Sequence, residues 1–450
     1  GGGTSGGAAD LVPDYYGHAV AARSDMVFVS INYRLGPLGW FYHDSLAAEA
    51  DAPGALPGDG SGNYGTLDII RALRWVRQNA AAFGGDPDRV TIAGESAGAM
   101  NILSLLTSPM AAGLFQRAVV QSGSTRMANL EDARAASAGL VAGLAVADRK
   151  APDEIAAYGK LAAMPAAEHA AWLRGQSPAR ILSRTKGGAT GMTGWPTIYP
   201  DGSVISAVGY DVFMTGDYPV KVPIIIGSNK EETTLFLYID NTADWKGELF
   251  RAVARFGSER WRLDGVDSLA AVLSSHADQP PVWVYRFDWG ARNEKGWSPE
   301  PGDWGERLGA FHTLEIPFFL GTDTINGVFL TGSICNEANR PGRQALSAGI
   351  MTYLAAFARN GDPNPIPGET DGEGRKSKSL PPNLPRWEAH DPAIMGGSDQ
   401  VRGLIFDVDG AAPAFRPLTE FLTRDGLDEA MSDSLEPSLM FQVMERLGWK

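Results

Sequence analysis

Five residues, Gly94-Glu95-Ser96-Ala97-Gly98, stand directly behind the apolar run Val90-Thr91-Ile92-Ala93 and ahead of Met100-Asn101-Ile102-Leu103-Ser104-Leu105-Leu106. No breaker interrupts the second run, so the order predicts a strand, a sharp turn and a helix. A G-x-S-x-G in that setting is a nucleophile elbow, which holds a strained serine at the top of a sheet with its hydroxyl exposed. Glycines two residues before and after keep Cβ atoms out of the crowded bend. The following helix N-terminus favours negative charge developing on the serine oxygen. With 54 glycines in the chain, the five residues alone would arise easily by chance, and the flanking strand and helix give the match its meaning.

A serine is a poor nucleophile without a base in reach and a group that orients the base. Behind an elbow these follow in the chain order serine, acid, histidine. Four of the six histidines lie downstream: His169, His276, His312 and His390. Val222-Pro223-Ile224-Ile225-Ile226-Gly227 reads as a short buried strand and runs into Ser228-Asn229-Lys230-Glu231-Glu232-Thr233. The acid is therefore sought at Glu231 or Glu232, and the base beyond it. A tetrahedral oxyanion needs backbone N–H donors already aimed at it, and one should be Ala97, the residue after the serine.

The chain has 450 residues, 44% of them hydrophobic, enough for a large core in a single domain over 1–450. Strands are expected near 26–33, 89–93, 117–121, 222–227, 282–287 and 402–406. Leu67, Ile70, Leu73, Val76, Ala80 and Phe83 form a helical stripe, and 342–359 reads as a long helix stopped by Asn360-Gly361-Asp362-Pro363. Alternating strands and helices predict an α/β class with a mostly parallel sheet covered on both faces. The Ala-rich stretch 131–172 reads as helices, within a lid or insert region expected over 128–200. Residues 366–386, rich in Pro, Gly, Lys and Ser, read as an exposed loop. The net charge of −14 serves solubility, and the chain lacks the basic runs that track a phosphate backbone, so no nucleic-acid partner is expected. Apolar runs fall short of a membrane span, so no integral membrane segment is expected. Cys335 is the only cysteine, which rules out an intrachain disulfide and points to a packed or loop thiol rather than a nucleophile. No zinc-type Cys/His spacing and no phosphate-binding glycine pattern occurs, so no metal or cofactor is expected.

Further segments carry a resemblance. Asn63-Tyr64-Gly65-Thr66-Leu67-Asp68, Ala72-Leu73-Arg74-Trp75-Val76 and Phe83-Gly84-Gly85-Asp86-Pro87 precede the elbow, and Phe115-Gln116-Arg117-Ala118-Val119-Val120-Gln121-Ser122-Gly123-Ser124 follows it. Asp201-Gly202, Gly227-Ser228-Asn229-Lys230-Glu231-Glu232, His312-Thr313-Leu314-Glu315-Ile316-Pro317 and Phe357-Ala358-Arg359-Asn360-Gly361-Asp362-Pro363-Asn364 come later, in the same order. With them the chain resembles the type-B carboxylesterases, the family of the bacterial para-nitrobenzyl esterases and the cholinesterases. The resemblance implies an α/β-hydrolase fold and a serine esterase acting on a small-molecule ester. Ser96 would be the nucleophile, Glu232 the acid and His312 the base, with Glu231 standing where the family has aspartate. His390 is the rival base, in a Pro-rich, surface-like stretch.

By the same resemblance, Gly2 and Gly3 join Ala97 as oxyanion donors, Glu95 tunes the electrostatics of the site and Ser122 supports the acid. Trp195, Tyr199, Trp289 and Phe311 are candidates for lining the pocket, although core packing is the expected role of each. The family's N-terminal antiparallel strands are not in the chain, which is therefore expected to be a fragment or to draw those strands from elsewhere, and to fold marginally. A lone cysteine, against the disulfide-stapled animal relatives, points to a microbial source. The alternatives are a lactonase, thioesterase or amidase on the same triad, and a non-catalytic cholinesterase-like binding module, against which the intact Ser96, Glu232 and His312 argue.

Overall fold

A computed structural model describes residues 16–48, 50, 53–185, 194–240, 244–322, 334–368, 380–382, 384–391, 403–410, 412–420 and 422–449. Six strands, β1 Thr91–Glu95, β2 Arg117–Gln121, β3 Ile224–Asn229, β4 Val282–Phe287, β5 Gly403–Asp409 and β6 Ala412–Leu418, form one sheet in the order β1-β2-β3-β4-β5-β6. Neighbours from β1 to β5 are parallel, and β6 returns antiparallel to β5. Five of the six expected strands are present.

Side chains alternate between the two faces of a strand, and here both faces are buried. Ala118, Val120, Ile224, Ile226, Val282 and Val284 point into one apolar layer with Ile70 and Leu73 of helix Tyr64–Asn79 and Ile102, Leu103 and Leu106 of helix Ala97–Leu106. Val119, Ile225, Trp283, Tyr285, Phe287, Leu404 and Phe406 point the other way, onto Leu346, Ile350, Tyr353 and Phe357 of helix Arg340–Asn360. This double burial is why β2, β3 and β4 read as continuous apolar runs. The long helix stops where the sequence predicts, at Gly361 in a left-handed conformation with φ 77°.

Two expectations are corrected. Residues 26–33 make no strand pairing. Val27, Phe28 and Val29 are 46%, 38% and 43% exposed. The segment is held instead by Ile31, Tyr33 and Leu35 against the core and by Arg34. Just past the run, Arg34 commits both its backbone N–H and its guanidinium to the Asp68 carboxylate at 2.8–2.9 Å. The stripe beginning at Leu67 also ends early: the helix tightens into a 3₁₀ turn at Ala80–Phe83, and the shorter period turns Phe83 away from the core.

The region 128–200 contains helices Leu130–Ala147, Glu154–Ala162, Ala166–Arg174 and Pro178–Leu182, the first three of which share a separate apolar cluster with Leu46 and Phe41. Side chains of Asn129, Asp153 and Ser177 cap three of them, accepting backbone N–H bonds.

At the elbow the chain turns from β1 into helix Ala97–Leu106 through Ser96, whose φ of 56° is rare for a residue with a side chain. The Ser96 N–H still donates to Gln121 O at 2.9 Å, so the parallel ladder continues into the bend. A Cβ at Gly94 would lie 2.6 Å from the Gly98 carbonyl carbon and oxygen. Gly94→Ala is therefore expected to destabilise the fold by about 1–3 kcal/mol in chemical denaturation, as an overpacked core site does. An unchanged denaturation midpoint would mean that the bend has room for a methyl group.

Candidate active site

The carboxyl ends of the parallel strands are where an open α/β sheet leaves a crevice, and three segments converge there. β1 delivers Glu95 and Ser96, β3 runs into a loop bearing Glu231 and Glu232, and the segment Leu308–His312 lies beside that loop. Glu232 is fully buried and both its oxygens are engaged. Oε1 accepts the Asn229 N–H at 2.7 Å, and Oε2 lies 2.6 Å from His312 Nδ1. His312 is 3% exposed. Its other ring nitrogen, Nε2, is 3.1 Å from Glu95 Oε1, close but without the alignment of a hydrogen bond. The imidazole thus stands between two carboxylates. Ser96 is half-buried and follows Glu95 directly, and among the described residues no hydrogen bond joins it to Nε2.

Burial alone would lower the affinity of His312 for its proton. The carboxylates of Glu95, Glu232 and Glu315 more than reverse this, and the imidazole is held up to about 9. Burial also raises the Glu95 carboxyl, against the pull of His312, so the two groups compete for one proton. Glu315, likewise fully buried, is pushed up to about 8 by burial and by its acidic neighbours. Glu231 is raised to about 7, chiefly by burial.

Glu315 and Asn229 are site residues that sequence reasoning did not single out. Asn229 Nδ2 donates at 2.6 Å both to Glu315 Oε2 and to Phe311 O, tying the acid loop to the histidine loop. Ser122 Oγ donates to Glu315 Oε1 at 3.3 Å, so Ser122 supports the site through Glu315 and Asn229, not by touching Glu232. The available signal was the i, i+3 spacing of His312 and Glu315 ahead of Pro317, where a helix begins at Ile316. Two rings were also missed: Trp261 and Phe236 lie 4.9 and 5.2 Å from the His312 ring, centroid to centroid. Trp261 is fixed by its indole N–H, which donates to Gly123 O at 3.0 Å. It sits at the end of helix Glu248–Arg262, just before a π-turn at Leu263–Asp267, where Gly265 lets the backbone pass Gly123 O.

Ala97 is the first residue of the helix after the elbow, where its N–H has no intrahelical acceptor. Gly2 and Gly3 lie outside the described residues. His390 is at the wrong end of the sheet: its N–H donates to the O of Val282, the first residue of β4. His276 is bonded to Phe213 O at 2.7 Å, and His169 packs edge-on against His43. Tyr199, Trp289 and Phe311 are fully buried core residues, and Trp195 caps Trp40 O. Cys335 packs, half-buried, against the second apolar layer. Among the described residues no group of three His, Cys, Asp or Glu side chains could hold a metal ion, and no helix is long and apolar enough to cross a membrane.

Residues 1–263 and 265–395 match the model of the Carboxylesterase family. The para-nitrobenzyl esterase of Bacillus subtilis is 30% identical over 78% of this chain and 68% of its own length. The fumonisin B1 esterase of Sphingopyxis macrogoltabida is 29% identical over 90% of this chain and 69% of its own length. Among solved structures, the Geobacillus stearothermophilus carboxylesterase EST55 superposes with a TM-score of 0.62 at 26% identity, covering 93% of this chain and 78% of that one.

The charge arrangement has a direct consequence for pH. A histidine raised from 6.5 to about 9 on folding contributes stability that is fully present below pH 6.5 and is lost as pH rises through 9. An NMR titration of the His312 ring should show a midpoint well above that of a free imidazole, and Glu95→Gln should lower it. An unshifted midpoint in the wild type would refute the two-carboxylate clamp.

Proposed function

The chain belongs to the carboxylesterase family and is a carboxylic-ester hydrolase, and we propose that it works through an acyl-enzyme formed on Ser96, with His312 as base and Glu232 as the orienting acid. One observation carries this reading: the 2.6 Å contact from Glu232 to His312 Nδ1, which leaves Nε2 facing the residue that precedes the elbow serine.

Ser96 Oγ attacks the ester carbonyl as its proton passes to Nε2. The carbonyl oxygen becomes an oxyanion, received by the Ala97 N–H and by the N–H groups of Gly2 and Gly3. Glu232 holds the Nδ1 proton and stabilises the imidazolium. The C–O bond then breaks, and the alcohol leaves with the proton from Nε2. Water, deprotonated at the same nitrogen, attacks the acyl group and releases the acid and free Ser96. Nε2 must exchange Glu95 for Ser96 to begin this cycle, a short shift between consecutive residues, and such contacts commonly tighten only when substrate binds. The faces of Trp261 and Phe236 beside the imidazole offer an apolar wall suited to an aliphatic or aromatic portion of the ester. The helices over 128–200 are read as a lid above this crevice.

Ser96→Ala is expected to lower kcat by at least about a thousandfold with an unchanged melting curve. A fluorophosphonate should label Ser96 in peptide mapping, and an adduct on Cys335 would overturn the mechanism. Glu232→Gln should cost about a hundredfold or more in kcat while leaving the fold intact, because the imidazolium loses its charged partner. Because only the neutral imidazole accepts the serine proton, kcat/KM should climb from pH 7 toward 9, and Glu95→Gln should move this limb to lower pH. A flat profile over that range would remove His312 as the titrating base.

A further inference from the structure

Two adjacent carboxylates end the loop after β3, and they address different atoms of the histidine-bearing segment. Glu232 reaches the His312 ring at 2.6 Å. Glu231 grips the backbone two residues earlier: its N–H donates to Ala310 O at 3.0 Å, and its Oε2 accepts the Ala310 N–H at 2.8 Å. Glu231 and Phe311 form an isolated parallel bridge. Thr234 Oγ1 adds a third tie, donating to Leu308 O at 2.6 Å. Gly309 has a left-handed φ of 55°, and a Cβ there would lie 2.7 Å from Glu231 Oε2, so the segment is shaped around this carboxylate. Behind Glu231 is a cleft of about 380 Å³, lined also by Lys230, Arg262 and Arg286.

The geometry points to Glu231 as a positioning residue for the reaction: its carboxylate, acting as an acceptor for the Ala310 N–H, fixes the segment 309–312 against the loop 229–232 and so sets the reach of Glu232 to His312. This rests on the Ser96–Glu232–His312 reading proposed above. Glu231 touches neither the imidazole nor the serine. It acts through the backbone, where a misplacement of about 1 Å at a catalytic group can cost about a hundredfold in rate.

The test compares Glu231→Gln, Glu231→Ala and Glu231→Met with the wild type in one nitrophenyl-ester assay, alongside melting curves and amide hydrogen exchange at Ala310. Gln keeps an acceptor, Ala removes the side chain, and Met keeps bulk without a strong acceptor. Ala and Met should lower kcat by about ten- to a hundredfold with KM within about twofold, and should speed exchange at Ala310. Gln should restore kcat to within about threefold of the wild type, because the amide oxygen still accepts the bond. The inference is overturned if Ala or Met, folded by its melting curve, turns over like the wild type, or if Gln falls as far as Ala. If Ala fails to fold, Met carries the test. Failure of the triad reading shows separately, as turnover that survives Ser96→Ala.

Discussion

The site depends on one buried contact, the 2.6 Å approach of the Glu232 carboxylate to His312 Nδ1, made where neither partner meets solvent. Unscreened, it fixes the ring and leaves the opposite nitrogen as the only one free to exchange a proton with another group. The same burial makes every additional charge costly, and two further carboxyl groups, those of Glu95 and Glu315, stand near. Glu315 and Glu95 respond by holding on to protons, while Asn229 and Ser122 satisfy the oxygens of Glu315. His312, Glu95 and Glu315 are best read as one titrating unit whose charge is set by how many protons the three share.

The sheet makes that contact possible. β1 and β3 both finish at the carboxyl end of the sheet, and alternate side chains of β2, β3 and β4 are buried in two separate apolar layers. A change of register by one residue would exchange those layers wholesale, so the ends of the strands are fixed to within a residue. The Ser96 and Ser122 N–H groups extend the ladders one step beyond the strands, to Gln121 O and Gly227 O, which carries this register into the site itself.

What the sequence makes legible follows the range of the interaction. The elbow, the run from β3 into Glu232 and the stop at Gly361 are local patterns, and each is written in neighbouring residues. The selection of Glu232 over Glu231 and of His312 over His390 came through the family resemblance, since spacing alone left the acid open; the geometry now sets Glu232 against His312 and puts His390 at the far end of β4. Asn229, Glu315 and Trp261 stayed hidden because their roles come from contacts 82–139 residues apart in the chain, which no period or cap announces. The Val27-Phe28-Val29 run misled because β-propensity records side-chain fit, whereas a strand also needs a neighbour to pair with, and none of the six described strands pairs with residues 26–33.

Ser96, Ser122 and Thr313 all carry positive φ, at 56°, 51° and 78°, and all three flank the histidine or the elbow. Such backbones cost on the order of 1–3 kcal/mol each and persist only where their surroundings enforce them. Three of the six non-glycine residues with positive φ among the described residues thus gather where the polar atoms of the site are aimed. A search for hardier variants would be drawn to these positions, since glycine relieves a left-handed backbone, and each relief would return freedom to the loop that the chemistry needs rigid. Durability and turnover are set against each other at these three residues, and thermal robustness is better sought in the outer helices, away from the strand ends.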